Sequence, residues 1–128
     1  QGRGLIEISE PINAQIQLTR IERGLAHIFI RHTSASLIIT ENADPTVLED
    51  LEMIISRLSP DDDPEFKHDY EGDDDMAAHV RSVLTHTDLT LPIQDSKLAL
   101  GTWQGVYLWE HRYQSRSREI ILSLQGFE

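Results

Sequence analysis

Leu37-Ile38-Ile39-Thr40-Glu41-Asn42-Ala43-Asp44-Pro45-Thr46-Val47-Leu48-Glu49-Asp50-Leu51 passes from one kind of structure into another, and that passage decides the fold class. Leu37 to Thr40 is a short apolar run rich in β-branched residues, the composition of a buried strand. Asp44 then suits a helix N-cap and Pro45 the first helical position, where a missing N–H costs nothing. From there Val47, Leu48, Leu51, Ile54, Ile55 and Leu58 recur at i, i+3, i+4 spacing, with Glu49, Asp50, Glu52 and Arg57 facing away. The spacing predicts a helix laying an apolar face on a sheet. Strands elsewhere in the chain make the class α+β.

Upstream, Leu5-Ile6-Glu7-Ile8 reads as a first strand ended by Pro11, which cannot donate to a ladder. Ile12, Ile16 and then Leu18 or Ile21 recur at near-helical spacing as far as Gly24, a C-terminal stop, which predicts a short helix. Leu25 to Arg31 reads as a buried strand in which His27 is a core or cross-strand histidine. His32-Thr33-Ser34-Ala35-Ser36 joins it to the strand at Leu37. These small residues after a histidine allow close backbone approach, and their hydroxyls suit either an anion or water, or a satisfied strand crossing.

Downstream, Pro60 to Glu71 is a polar loop, and Met76, Val80, Val83 and Leu84 give a second amphipathic helix with His79 along its buried stripe. Strands follow at Leu89–Ile93 and, after the turn Gln94-Asp95-Ser96, from Lys97. Gly101-Thr102-Trp103-Gln104-Gly105 reads as a bulge interrupting that last strand, which resumes at Val106–Glu110. Tyr113 to Ser117 turns, and Glu119 to Gln125 closes the sheet.

The chain of 128 residues fits one domain, 1–128, with enough length to bury a core. It has no cysteine, which removes disulfides, thiolate metal sites and cysteine nucleophiles together. A net charge of -11 repels phosphate backbones, so nucleic acid is an unsuitable partner. No apolar run approaches the roughly 18 residues of a membrane span, and no signal pattern opens the chain, so a soluble cytoplasmic protein is expected.

Chemistry concentrates in His68-Asp69-Tyr70-Glu71-Gly72-Asp73-Asp74-Asp75-Met76-Ala77-Ala78-His79, two imidazoles among a run of carboxylates. Acidic residues here also serve the N-terminus of the following helix. Neither Asp61-Asp62-Asp63 nor Asp73-Asp74-Asp75 has the alternating ligand spacing of an EF-hand calcium loop. Polar residues otherwise collect at element ends: His32, Glu41, Gln104, His111 and Arg112. Imidazoles with carboxylates suit zinc or another first-row divalent ion carrying an activated water. Oxygen ligands with Arg112 or Arg118 would instead suit magnesium and a phosphorylated substrate. Spacing does not decide between them.

These residues carry a resemblance. His32-Thr33-Ser34-Ala35-Ser36, Glu41-Asn42 with Asp44-Pro45-Thr46, His68-Asp69-Tyr70-Glu71-Gly72, Asp74-Asp75-Met76 with His79, Leu100-Gly101-Thr102-Trp103-Gln104-Gly105, Glu110-His111-Arg112 and Gln125-Gly126 together resemble the YjbQ family, in order over nearly the whole chain. The resemblance implies a compact α+β sandwich of mixed sheets with two or three short helices, assembled as a homotrimer around a histidine-lined pocket for a divalent metal. It also implies a secondary thiamine-phosphate synthase activity on a small phosphorylated partner, joining a hydroxymethylpyrimidine diphosphate to a thiazole phosphate. Carried over residue by residue, His32, His79 and His111 become metal ligands and His68, Asp69 and Glu71 the catalytic group. Thr33, Ser34, Glu41, Asn42, Thr102, Trp103, Gln104, Arg112 and Arg118 become substrate contacts. One departure is Ser115-Arg116 ahead of Ser117-Arg118, where relatives carry a glycine pair. The same histidines also suit a metal-assisted hydrolase or lyase, or a non-enzymatic trimeric metal- or ligand-binding protein.

Overall fold

A computed structural model describes residues 2–114 and 116–128, so the Ser115 departure lies outside the described residues. Strand β1 (Gly4–Glu7) leads directly into helix α1 (Ser9–Gln17). Pro11 does not follow the strand as its stop; it is the third residue of the helix, where no intrahelical N–H bond is yet required. Ile12 and Ile16, one turn apart, are the buried apolar face of α1.

Gly24 is not the helix stop either. It belongs to β2 (Arg23–Ile30) and is paired with Gly126 of the last strand. A Cβ on Gly24 would lie 2.0 Å from the Gln125 carbonyl oxygen, and one on Gly126 would lie 2.1 Å from that of Arg23. These glycines allow two backbones to approach, a need that helix spacing does not reveal.

The other strands are β3 (Ala35–Glu41), β4 (Asp88–Gln94), β5 (Lys97–Leu98), β6 (Gln104–Glu110) and β7 (Ile120–Phe127). They form two sheets, in the orders β1-β6-β3 and β5-β4-β2-β7. Mixed sheets were expected; every ladder among the described residues is antiparallel. Ala26, Ile28 and Ile30 alternate inward from β2 and share one buried cluster with Leu37, Val106, Leu91, Ile93 and the two isoleucines of α1. The α+β class stands, with the core between the two sheets and α1.

One correction matters for the site. β5 and β6 are not a single bulged strand. Leu98 pairs with Ile93 in the four-stranded sheet, whereas Gln104 opens the central strand of the three-stranded sheet. Gly101-Thr102-Trp103 is the crossing between them. An apolar alternation interrupted by two glycines reads the same whether the chain bulges or changes sheet.

Helix α2 (Pro45–Leu58) begins as expected, Asp44 accepting from the Thr46 N–H at 2.9 Å. Its inward face is the expected one at Val47, Leu48, Leu51 and Ile55, but Ile54 and Leu58 are 46% and 66% exposed. Glu52 was expected to face away and instead faces inward, because Arg81 of helix α3 (Asp75–Leu84) is fully buried and needs a carboxylate. On α3 the buried residues are Asp75, Ala77, Ala78, Arg81 and Ser82. Of the stripe expected inside, Met76 and Val80 are half-buried while Val83 and Leu84 are 83% and 54% exposed. Small side chains let α3 approach β3, where Ser82 Oγ donates to the Ala35 carbonyl and Thr85 Oγ1 to Ser36 Oγ.

Candidate metal centre

The first turn of α3 meets the end of the 59–74 loop at a junction built from charge. Asp75 and His79 lie one turn apart on the helix, and the loop returns His68 to face both. His68 Nε2 lies 2.8 Å and His79 Nε2 3.2 Å from the same carboxylate oxygen, Asp75 Oδ2. The two rings are 5.3 Å apart, and each side chain is about one-third exposed while Asp75 is buried. One donor atom from each residue fits within a 4.8 Å group.

Neighbouring groups fix the orientation of this cluster. The Thr33 carbonyl can only accept, so the His79 Nδ1 that lies 3.0 Å from it carries the ring proton. In the neutral ring Nε2 is then a lone pair, and it points at a carboxylate oxygen that also only accepts. On the far side Arg112 donates from Nη1 to Asp75 Oδ1 at 2.6 Å and from Nη2 to the Glu71 carbonyl at 2.9 Å. Its Nε lies 3.2 Å from Asp74 Oδ2 but makes no hydrogen bond, the one buried side-chain polar atom among the described residues without such a partner. Burial alone would raise the Asp74 pKa. The Tyr113 N–H and the Arg112 guanidinium outweigh it and hold the group below its ordinary value.

Two further buried networks support the junction. Arg81 donates from Nε to His111 Nδ1 at 3.0 Å and from Nη2 to Glu52 Oε1, which also accepts from Trp109 Nε1 at 3.0 Å. Since a guanidinium only donates, His111 Nδ1 is the acceptor and Nε2–H donates to Ser36 Oγ at 2.8 Å. Burial, then the charge of Arg81, pushes the His111 pKa down to about 3. In the second network Arg118 donates from Nε to Glu110 Oε1 at 2.7 Å and from Nη2 to Ser34, with both members of the ion pair buried. Glu110 Oε2 also accepts the Arg112 N–H at 3.1 Å. Burial would raise the Glu110 pKa, but these donors hold it below the usual range.

The residues expected to act together are therefore distributed. His79 is in the cluster. His68, expected as an acid-base group, stands among the candidate ligands. Neither His111 nor His32 joins them. His111 is buried with both ring nitrogens bonded, and His32 Nε2 accepts the Glu119 N–H at 2.7 Å. Asp69 and Glu71 have exposed side chains, although the Glu71 carbonyl holds Arg112. Thr33, Ser34, Arg112 and Arg118 lie around the junction. Glu41, Asn42, Thr102, Trp103 and Gln104 do not: Glu41 pairs with Gln104 at the opposite end of β3 from Ala35, roughly 20 Å along the strand. Asp75 and Glu110 stand in motifs quoted from the sequence but were given no site role, and Arg81 was not singled out. The i, i+4 spacing of Asp75 and His79 is the signal that could have found the first.

An antiparallel two-sheet α+β protein with a histidine–carboxylate cluster at a helix start is the class that this fold and site define. The chain belongs to the family described as UPF0047 protein YjbQ-like, whose model matches residues 1–127. It is 49% identical over 126 residues to UPF0047 protein sll1880 of Synechocystis, covering 98% of this chain and 86% of that protein. It is 45% identical to UPF0047 protein YjbQ of Escherichia coli O157:H7, covering 91% and 84%. Among solved structures, the conserved hypothetical protein TT1486 of Thermus thermophilus superposes with a TM-score of 0.88 at 34% identity, covering 98% of this chain and 94% of that one.

The thiamine-phosphate synthase activity implied by the resemblance is overturned by these findings. The matching family and its relatives bear descriptions without an activity, and nothing in them points to thiamine phosphate. The geometry adds a physical reason. Arg112 and Arg118, expected as contacts to a phosphorylated substrate, are each ion-paired within the fold, to Asp75 and Glu110.

Proposed function

We propose that the protein is a divalent-metal protein whose ion is held by His68 Nε2, Asp75 Oδ2 and His79 Nε2. One observation carries this reading. Thr33 fixes the His79 proton on Nδ1, so a lone pair faces the Asp75 carboxylate across 3.2 Å, an arrangement that calls for a cation or an additional proton between them. A tetrahedral zinc site with ligands near 2.0–2.1 Å spaces its donors by about 3.3 Å. His79 and Asp75 have that spacing, His68 needs to retreat from Asp75 by about half an ångström, and the three donors, now within 4.8 Å of one another, must close to it. Two imidazoles with one carboxylate favour zinc or another first-row ion over magnesium, which prefers oxygen ligands.

The surrounding residues supply what such a centre requires. Arg112 holds the outer oxygen of Asp75 and keeps that carboxylate aimed, while the Thr33 carbonyl selects the His79 tautomer; outer partners of this kind tune metal sites. With three protein ligands a position is left for water, whose pKa a bound ion would lower toward neutrality.

The test is elemental analysis of untagged protein purified without chelator and reloaded with zinc, manganese or nickel, beside Asp75→Asn and His79→Ala. The expected result is near-stoichiometric metal that both substitutions abolish. Metal absent from the parent, or retained in both variants, overturns the proposal.

Association of copies is a second part of the proposal. Leu25, Phe29, Ile121 and Phe127 are 39–71% exposed and share the outer face of the four-stranded sheet, since Phe29 pairs with Ile121 and Arg23 with Phe127. Exposed apolar side chains on that face, interrupted by the His27–Ser123 row, suit contact between subunits. Sedimentation equilibrium tests the expected trimer, and a monomer at micromolar concentration would exclude it.

A further inference from the structure

Two clefts meet beside the cluster. One, of about 250 Å³, is bounded by His79, Ser82 and Val83; the other, of about 570 Å³, by Arg31, Ser34 and Arg118. Both are lined by His32, Thr33 and Thr87, so they form one groove running from the cluster to Arg118. The end near His79 is mainly apolar, with Val83 in its wall. The far end carries donors. His32 Nε2 accepts the Glu119 N–H, so its neutral ring has the proton on Nδ1. Burial and the nearby Arg118 charge lower its pKa and favour that neutral ring. Arg118 spends Nε and Nη2 on Glu110 and Ser34, whereas Nη1 has no hydrogen-bond partner among the described residues.

We propose that this groove binds a small monocarboxylic acid with an apolar or aromatic body, its carboxylate meeting His32 and Arg118 and its other end directed at the His68–Asp75–His79 cluster. The direction toward a metal rests on the reading given above; the carboxylate subsite does not. The balance of charge decides for a monoanion. Arg118 is neutralised by Glu110, and Arg31 is paired with Glu119 at 3.1 Å, so the groove offers two N–H donors and little net positive charge. Two donors match the two oxygens of a carboxylate. A phosphate dianion would have to enter beside Glu110 and Glu119 in a protein of net charge -11.

The experiment titrates benzoate into chelator-treated protein and into zinc-loaded protein, following amide shifts by NMR, with phenyl phosphate and benzyl alcohol as comparisons. Saturable benzoate binding is expected in both states, with shifts at His32, Thr33 and Val83 and weaker binding of both comparison compounds. Val83→Asp sets a negative charge on the groove wall at an exposed position that tolerates substitution, and is expected to weaken benzoate roughly tenfold or more while the fold is kept. His32→Gln, which removes the ring donor, should also weaken it. No saturable binding in either state, tighter binding of phenyl phosphate, or unchanged affinity in Val83→Asp overturns the proposal. Benzoate binding to protein that takes up no metal would sink the metal reading alone; metal uptake without benzoate binding would sink the groove alone.

Discussion

His111→Gln isolates one buried proton equilibrium. In the folded chain His111 accepts from Arg81 at Nδ1 and donates to Ser36 at Nε2, and its pKa is pushed down to about 3 by burial and then by Arg81. Protonating Nδ1 would set an N–H against the Arg81 N–H and one buried cation against another. The unfolded chain has no such constraint and takes the proton near pH 6.5. As pH falls from 6.5 toward 3, the unfolded state therefore gains a proton that the folded state refuses. The stability present above pH 6.5 is lost at about 1.4 kcal/mol per pH unit, up to about 5 kcal/mol over the whole window. Glutamine has no such titration, yet its amide can accept from Arg81 and donate to Ser36. Urea unfolding of both proteins at pH 7.0, 6.0, 5.0 and 4.5 reads the difference, a series chosen to cross about two units below the unfolded pKa. Carboxylate titration acts largely on both proteins and cancels, leaving a parent advantage that shrinks by roughly 2–3 kcal/mol across the series. A difference constant with pH would refute the reasoning, since His111 would then be taking its proton inside the fold.

Other perturbations test the frame around the site. Gly24→Ala forces a Cβ to 2.0 Å from the Gln125 carbonyl oxygen, so it should destabilise by at least about 2 kcal/mol in urea titration; a near-neutral result would place β2 and β7 further apart than described. Glu110→Gln leaves the Arg118 guanidinium buried without its counter-charge and should lower stability by about 3 kcal/mol, seen as a lower melting temperature. Trp103→Ala, at a residue 65% exposed on the crossing between sheets, should change stability by less than about 1 kcal/mol and leave metal content unchanged.

The elements were legible where the signal is local. Asp44-Pro45 marked the start of α2, and the strand runs of β2, β3, β4 and β6 follow composition and alternation. The Asp95-Ser96 turn was also visible, and both residues adopt the positive φ that a two-residue hairpin requires. The errors occurred where tertiary partners decide. Nothing local in Gly24 distinguishes a helix stop from a strand glycine, because the reason lies in Gly126 at the other end of the chain. On α2 the apolar spacing placed Val47, Leu48, Leu51 and Ile55 inward and Glu49, Asp50 and Arg57 outward, but missed Glu52, which turns in to meet a buried Arg81, and Ile54 and Leu58, which stay exposed. In the site, His68 and His79 were legible as chemistry but not as partners of Asp75, which composition assigned to helix capping. That His111 stands apart from the cluster was not legible, because its burial and both ring partners depend on α3 and β3, remote in sequence.

Three buried arginines surround the candidate metal centre, and their cost bears on what it is for. Arg81, Arg112 and Arg118 each bring a charge out of water and each meets a carboxylate: Glu52, Asp75 and Glu110. Well-packed apolar residues often match or exceed the stability of such pairs, so stability is a weak reason for three of them. Directionality is a stronger one. Arg112 bonds the helix carboxylate Asp75 and the loop carbonyl of Glu71, and thereby fixes the turn that carries His68 relative to the turn that carries His79. Its own backbone is held by Glu110, which Arg118 holds in turn, while Arg81 and Ser82 fasten α3 to its neighbours. Apolar packing has no preferred direction at the scale of a ligand atom, whereas a guanidinium bound at several points does. The arrangement is thus one in which the costly charged groups hold three donor atoms toward a common point, with the His68 and His79 side chains left partly open to solvent.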